Sequence, residues 1–126
     1  MKQVIRTGAA PAAIGPYSQA IASDGWLWIS GQIPLDPATG ELLDGDVEAA
    51  TRRVLDNLAA VIEAAGAALD DVVKVTIYLT DLETFETVNR VYAEYFSSQP
   101  PARACVEVSR LPRGAEVEMD AVVRSG

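Results

Sequence analysis

The residues best able to do chemistry lie near the C-terminal end of the chain, in two segments where polar and apolar residues alternate. Arg103 and Cys105 lie between small apolar residues in 102–108, and Glu118 lies between apolar residues in 115–123. A planar arginine fork binds a carboxylate through two parallel hydrogen bonds, and a carboxylate can take a proton from an attacking water molecule. These residue types fit hydrolysis of a small anionic substrate. They fit equally the ordinary surface of a sheet, where charged side chains are solvated or weakly paired.

Composition excludes many other chemistries. The 126 residues include no histidine and one cysteine, so the chain has no Ser-His-Asp triad, no Cys-His dyad, no imidazole metal ligand and no disulfide framework. Eighteen acidic residues against ten basic ones give a net charge of −8. This charge argues against binding to a nucleic-acid backbone or to an anionic membrane surface. The glycine-rich phosphate-binding motifs are also missing from the sequence.

A chain of 126 residues has room for one ordinary domain, spanning 1–126. The longest stretch without charge, 7–23, contains two glycines and two prolines, so it does not predict a transmembrane helix. Residues 1–6 lack the apolar core of a signal peptide. We therefore expect a cytoplasmic protein.

Hydrophobic periodicity indicates the α+β fold that would position the chemical residues. Helical spacing predicts helices over 47–65, capped by Asp46 and ended by Gly66, and over 82–96. Alternation and turn signals predict strands over 17–23, 26–30, 72–79, 102–108 and 115–123, with an edge strand near 3–6. This order favours a two-layer sandwich with both helices on one face of a mixed sheet. The other face would carry polar side chains, namely Lys74, Tyr78, Arg103, Cys105, Glu107, Glu116 and Glu118.

The last two strands are expected to pair as an antiparallel hairpin through the loop 110–114. Their apolar faces coincide only when paired residue numbers have an odd sum. The pairing that avoids two facing glutamates places Cys105 opposite Glu118 and Arg103 opposite Asp120. The Arg103 and Glu118 side chains would then share one face of the sheet.

The run PARACVEVSRLPRGAEVEM, residues 101–119, resembles the C-terminal signature of the RidA/YjgF family, the reactive intermediate (enamine/imine) deaminases. Further blocks follow the family's order, and the resemblance covers essentially the whole chain. These blocks are residues 12–18 (AAIGPYS), 30–34 (SGQIP), 55–58 (LDNL), 63–66 (EAAG) and 87–89 (TVN). Several ordered matches are more specific than any single motif.

The resemblance implies a chorismate-mutase-like fold assembled as a homotrimer. The polar sheet faces would line a central interior, and the active sites would lie in clefts between subunits. It also implies hydrolysis of 2-imino acids, such as 2-aminoacrylate/2-iminopropanoate and 2-iminobutanoate, to 2-keto acids and ammonia, without a metal or an organic cofactor. Such intermediates arise from pyridoxal-phosphate enzymes, for example threonine and serine dehydratases.

The family's site residues fall on identifiable positions of this chain. The resemblance assigns the substrate carboxylate to Arg103, the attacking water to Glu118, and a contact with that water to the backbone carbonyl of Cys105. The further residues that it places in the pocket lining are Tyr17, Ser30, Gly31 and Asn89. The residue types alone also allow ordinary roles, which are packing for Tyr17, a turn cap for Ser30, backbone geometry for Gly31 and a solvated amide for Asn89.

Two other functions fit part of the sequence. A trimeric module could hold small carboxylates in the same clefts without turnover, or act as a chaperone-like protein. Ribonuclease activity is opposed by the net charge of −8 and by the absence of histidine. Cys105 is not expected to be a nucleophile, because no histidine is present to activate its thiol.

Overall fold

A computed structural model describes residues 1–124 of the chain, and all six of its strands belong to one sheet. The strands run β1 (Gln3–Ile5), β2 (Ala20–Ser23), β3 (Trp26–Gln32), β4 (Val72–Leu79), β5 (Ala102–Glu107) and β6 (Val117–Arg124), and the helices are α1 (Val47–Ala64) and α2 (Phe85–Tyr95). The strand order in the sheet is β1-β2-β3-β6-β4-β5. Both helices pack on one face of this mixed sheet, which confirms the expected two-layer α+β fold. No helix in the described part of the chain has the length and apolarity needed to cross a membrane.

The two helices form close to where their periodicity predicts them. The Asp46 carboxylate accepts a hydrogen bond from the Ala49 N–H at 3.1 Å and so caps α1. Gly66 adopts a φ of +82°, the left-handed conformation that ends a helix at low steric cost. The predicted second helix begins as one 3₁₀ turn, Leu82–Thr84, and continues as α2.

Several strand bounds differ from their prediction by one to three residues, β5 and β6 among them, and the differences in β2 and β3 bear on the site. β2 begins at Ala20 rather than at residue 17, because Tyr17 lies in a turn, where its N–H donates to the Gly15 carbonyl. β3 extends to Gln32, beyond the predicted end at residue 30. The pairing of β3 with β6 shifts by one residue between Ile29 and Gln32, so this added part of β3 is a bulge.

The expected hairpin between the last two strands is wrong. β5 pairs with β4 in parallel, after the crossover through α2, and β6 lies between β3 and β4 as an antiparallel central strand. The connection from β5 to β6 therefore passes the end of β4. There the Val108 N–H donates to the Leu79 carbonyl at 2.8 Å, and the Thr80 N–H donates to the Glu116 carbonyl at 3.2 Å.

This topology also corrects which face each β5 residue occupies. Arg103 lies beside Val75 in the register, and Val75 is fully buried under the helices. Glu118 lies beside Tyr78, three residues further along β4, and therefore on the opposite, open face of the sheet. Arg103 and Glu118 of one chain consequently do not share a face. The same correction moves Cys105 and Glu107 to the helix side, and it exposes Ala102, Ala104 and Val106, which alternation had placed in the core.

The open face carries a row of apolar side chains that no part of the chain covers within residues 1–124. Val4, Ile21, Trp28 and Val122 lie side by side across four strands. Trp28 is 52% exposed and Val4 is 46% exposed. Contiguous exposed apolar surface of this kind commonly marks an interface with another protein chain.

Candidate active site

Glu118 lies in a cleft of about 360 Å³ on the open side of the sheet. One wall comes from the segment before β2, another from the β3 bulge and the segment after it. The lining residues are Pro11, Ala12, Ile14, Tyr17, Gln19, Ser30, Gly31, Gln32, Ile33, Leu35, Pro112 and Glu118. Glu118 is thus the only ionisable carboxylate among the described residues that line this mostly apolar cleft.

The surroundings of Glu118 favour its protonated form. Burial raises the pKa of the Glu118 carboxyl above the ordinary 4.5, and the nearby Asp120 charge raises it further. Asp120 itself accepts a hydrogen bond from the Tyr78 hydroxyl at 2.9 Å. Within residues 1–124 no three Asp, Glu, Cys or His side chains come together as a set of metal ligands. The Glu118 carboxylate is therefore a stronger proton acceptor than an ordinary exposed glutamate.

The position of the Glu118 carboxylate leaves no room for a side chain at residue 31, which is a glycine. A Cβ at residue 31 would collide with Oε2 of Glu118 and lie 2.9 Å from its Cδ. The bulge in β3 thus brings bare backbone against the carboxylate, and a larger residue would have to displace it.

We expect a Gly31→Ala change to lower the rate of any reaction that uses the Glu118 carboxylate far more than it lowers the stability of the fold. The Glu118 side chain can swing away from the added methyl, so the fold survives, but the carboxylate leaves its position. A displacement of about 1 Å in a catalytic group costs on the order of a hundredfold in rate. Steady-state kinetics and thermal unfolding should be compared with those of Gly8→Ala, where a Cβ meets no atom within 4 Å. If Gly31→Ala retains full kcat/KM, the position of Glu118 is unimportant.

Ser30 and Tyr17 hold the walls of this cleft through hydrogen bonds. The Ser30 hydroxyl donates to the Ser18 carbonyl at 2.6 Å, and the Tyr17 hydroxyl accepts from the Ile14 N–H at 3.2 Å. Gln19, which sequence reasoning missed, is buried and its amide bonds to the backbone of Thr7, Ala10 and Pro11. No sequence signal marked this role, because the burial that obliges Gln19 to find backbone partners is visible only in the structure.

Arg103 lies in a different concavity, of about 430 Å³, beside α2 and the Pro100–Pro101 turn. Its guanidinium donates to Oδ1 of Asn89 at 2.7 Å. The guanidinium carbon lies 5.4 Å from the ring centre of Phe85 and 4.9 Å from that of Tyr92. Asn89 is therefore a partner of Arg103 rather than a free surface amide.

Cys105 lies two residues after Arg103 on the edge strand β5 and is partly buried. Burial raises the pKa of the Cys105 thiol, an effect that the Arg103 charge partly offsets, so thiolate chemistry is disfavoured. Val108 bonds to Leu79, and alternate residues of a parallel strand bond to the same neighbour. The carbonyl of Cys105 therefore points away from β4, toward the open edge of the sheet.

The seven residues singled out in the sequence form two groups. Tyr17, Ser30 and Gly31 lie around Glu118, whereas Asn89 and Cys105 lie around Arg103. The sheet separates the two groups within one chain. Phe85 and Tyr92, which the sequence did not single out, join the Arg103 group.

Three comparisons with known proteins agree with this fold. A family model described as Endoribonuclease L-PSP matches residues 7–125. A RutC family protein of Pyrococcus horikoshii is 55% identical over 122 residues, covering 97% of each chain. The mouse protein named 2-iminobutanoate/2-iminopropanoate deaminase is 46% identical over 126 residues, covering 100% of this chain and 93% of its own. A solved structure of a Rid family protein from Yersinia pestis matches with a TM-score of 0.96 at 50% identity, covering 98% of this chain and 99% of its own.

The family model and the solved structure therefore match almost the whole length of the chain, including the ranges in which the family blocks lie. The match with the mouse protein covers all 126 residues, so it spans both the Arg103 and the Glu118 segments. This chain belongs to the RidA/YjgF family.

Proposed function

We propose that the protein hydrolyses 2-imino acids, such as 2-aminoacrylate/2-iminopropanoate and 2-iminobutanoate, to 2-keto acids and ammonia. The observation that carries the proposal is the presence of two complementary half-sites. One offers an arginine that makes no ion pair with any carboxylate of residues 1–124, and the other offers a half-buried glutamate with raised proton affinity. The name of the mouse relative supports the same reaction.

In the proposed reaction Arg103 binds the substrate carboxylate and Glu118 holds the attacking water. The water oxygen attacks the imine carbon, Glu118 takes one water proton, and the electron pair of the C=N bond moves to nitrogen. Protonated Glu118 then returns the proton to that nitrogen. Glu118 then takes the proton of the remaining hydroxyl and passes it to the nitrogen. The C–N bond breaks as the C=O bond of the ketone forms, and ammonia leaves. The Cys105 carbonyl and the residues Tyr17, Ser30, Gly31 and Asn89 would complete the pocket.

A complete site requires two copies of the chain, and we propose a homotrimer. Arg103 and Glu118 of one chain lie on opposite faces of the sheet and in separate concavities. The open face that bears Glu118 also exposes the apolar row around Trp28, which a second copy would cover. In a closed ring of three copies, the edge strand that carries Arg103 in one copy would lie against the Glu118 cleft of the next copy, and all three interfaces would be alike.

The activity is tested with imine generated in place by threonine dehydratase and trapped by semicarbazide. The protein should compete with the trap, lower semicarbazone formation and raise the rate of 2-oxobutanoate release. Protein with Arg103 replaced by alanine serves as the matched control. Equal trapping with and without wild-type protein would sink the deaminase proposal.

The plot of kcat/KM against pH is expected to have an acidic limb, in which kcat/KM falls as the pH is lowered and Glu118 becomes protonated. Glu118 must be ionised to accept a proton, and burial together with Asp120 raises its pKa above 4.5. Asp120→Asn removes a neighbouring negative charge, so it should move the limb to lower pH. Glu63→Gln, an exposed change on α1, should leave the limb where it is. The comparison uses initial rates corrected for uncatalysed hydrolysis, and an unmoved limb in Asp120→Asn would refute this role of Asp120.

A module that binds small carboxylates without turnover remains the alternative, because the same half-sites would serve it. Titration with 2-oxobutanoate that shows binding, together with no rate enhancement, would favour that function. The ribonuclease named in the family description is opposed by a net charge of −8. Salt-sensitive RNA binding lost in Arg103→Ala would favour it.

A further inference from the structure

We infer that Phe85, Asn89 and Tyr92 form a charge-neutral clamp, which fixes the Arg103 guanidinium while leaving its positive charge uncompensated for an incoming carboxylate. This inference rests on the proposed function, in which Arg103 binds the substrate carboxylate. The three residues act through Arg103 and are therefore positioning residues.

The clamp follows from the spacing of its members along α2. Residues 85, 89 and 92 are four and then three positions apart, so they form one stripe of the helix. Asn89 accepts from the guanidinium at 2.7 Å, and the two rings lie on either side of that contact along the stripe, within 5.4 Å of the guanidinium carbon. An exposed arginine would otherwise be mobile, and these contacts restrict it to one geometry.

The clamp differs from the surroundings of two arginines of the helical layer, which contact acids: Arg52 bonds to Glu94 at 2.8 Å, and Arg90 bonds to Glu48 at 2.7 Å. Arg53 also bonds to an amide oxygen, Oδ1 of Asn57 at 3.1 Å, but within residues 1–124 Arg103 alone combines an amide contact with two aromatic rings. No ion pair involves Arg103 within residues 1–124, although the chain has 18 acidic residues. A carboxylate partner would neutralise Arg103 and compete with the substrate. An amide oxygen and two aromatic faces hold the guanidinium without that competition.

Tyr92 contributes its ring rather than its hydroxyl. The hydroxyl is buried and has no hydrogen-bond partner among the described residues. Burial raises the pKa of Tyr92 to about 12, against a smaller opposing effect of Arg103, so the side chain is uncharged at physiological pH. The clamp therefore stays neutral at physiological pH.

The decisive comparison is between Asn89→Asp and Asn89→Ala. Aspartate keeps the size and the acceptor oxygen of asparagine but adds a carboxylate beside Arg103. If Asn89 had a purely structural role, Asn89→Ala would raise KM more than Asn89→Asp. If the clamp must be neutral, Asn89→Asp raises KM more than Asn89→Ala. We expect KM to rise about threefold in Asn89→Ala and at least about tenfold in Asn89→Asp, with kcat changed much less. The affinity for 2-oxobutanoate should fall by the same factors.

Two further sets of variants separate the clamp from general effects. Arg90→Gln changes the net charge by the same amount as Asn89→Asp, at the neighbouring residue, and should leave KM unaltered. Tyr92→Leu removes the ring and should raise KM about threefold to tenfold, whereas Tyr92→Phe retains the ring and should restore tight binding. Circular dichroism and thermal unfolding identify any variant that fails to fold. If an Asn89 variant fails to fold, the comparison of Tyr92→Leu with Tyr92→Phe is the test.

The outcomes distinguish the clamp from the reaction. If wild type hydrolyses imines but Asn89→Asp binds 2-oxobutanoate no more weakly than Asn89→Ala, the clamp is wrong and deamination stands. If wild type is inactive but binds 2-oxobutanoate with Asn89→Asp weakest, deamination is wrong and the clamp stands. Loss of the ring effect, with Tyr92→Leu equal to Tyr92→Phe, also contradicts the clamp.

Discussion

Arg103→Ala is expected to lower kcat/KM for 2-iminobutanoate hydrolysis on the order of a hundredfold to a thousandfold. The variant loses a two-point, charge-assisted contact with the substrate carboxylate, and each such hydrogen bond contributes about 1.5–3 kcal/mol. Part of the effect should appear in kcat, because the same contact aligns the imine carbon with the water. Stability should change little, since Arg103 is exposed and lies on an edge strand.

Arg103→Lys is the matched control for this loss. Lysine keeps the charge but cannot form the planar fork or stack between the Phe85 and Tyr92 rings in the same way. It should recover only part of the lost kcat/KM. If Arg103→Ala retained wild-type kinetics in the semicarbazide competition assay, Arg103 would not be the carboxylate anchor.

Glu118→Gln is expected to lower kcat by about a hundredfold to ten-thousandfold, with KM for the imino acid nearly unchanged. Glutamine keeps the shape and can still orient a water molecule, but it cannot accept a proton. The loss should therefore fall on the chemical step, in contrast to the variants around Arg103. Single-turnover measurements with pre-formed imine would separate that step from substrate binding.

The same substitution is expected to stabilise the fold at neutral pH. The pKa of Glu118 is raised in the folded state, so the folded protein holds a proton more tightly than the unfolded chain. The free energy of unfolding therefore falls as pH rises from the unfolded pKa through the folded one. Above that window the buried charge costs stability, and glutamine removes the cost. A Glu118→Gln variant with lower melting temperature and undiminished kcat would show that Glu118 is structural.

Local sequence signals were sufficient for the helices and most strand positions. Asp46 and Gly66 mark the ends of α1 through specific capping chemistry. The alternation of apolar and polar residues in β6 correctly predicts which of its side chains are buried under the helices. Along β4 the alternation failed only at its start. There the pairing with β6 shifts by one residue, so Val72 is buried and Val73 is 39% exposed.

The pairing of β5 was not available from local signals. Its small residues Ala102 and Ala104 resemble a core-facing set, but they lie on the open face of an edge strand. Strands that are consecutive in sequence are usually neighbours, and here β4 intervenes because β5 returns in parallel after α2. No pairwise rule applied to β5 and β6 alone could show this.

The candidate site was identified by residue type and by the family blocks, whereas its assembly needed the three-dimensional structure. Asn89 had no physical justification in the sequence, and its contact with the Arg103 guanidinium supplies one. Gly31 is explained by the bulge that brings it against the Glu118 carboxylate. The separation of Arg103 from Glu118 depends on strand order, and it is the reason why the proposed reaction would need a second copy.

Subunit complementation tests this central claim most directly. Arg103→Ala and Glu118→Gln chains with different affinity tags are co-expressed, and assemblies that carry both tags are purified. In a ring of three that contains both variants, one interface joins an intact Arg103 to an intact Glu118, so about one third of wild-type activity should return. Each variant alone should remain inactive. Mixed assemblies as inactive as their parents would contradict a site shared between copies.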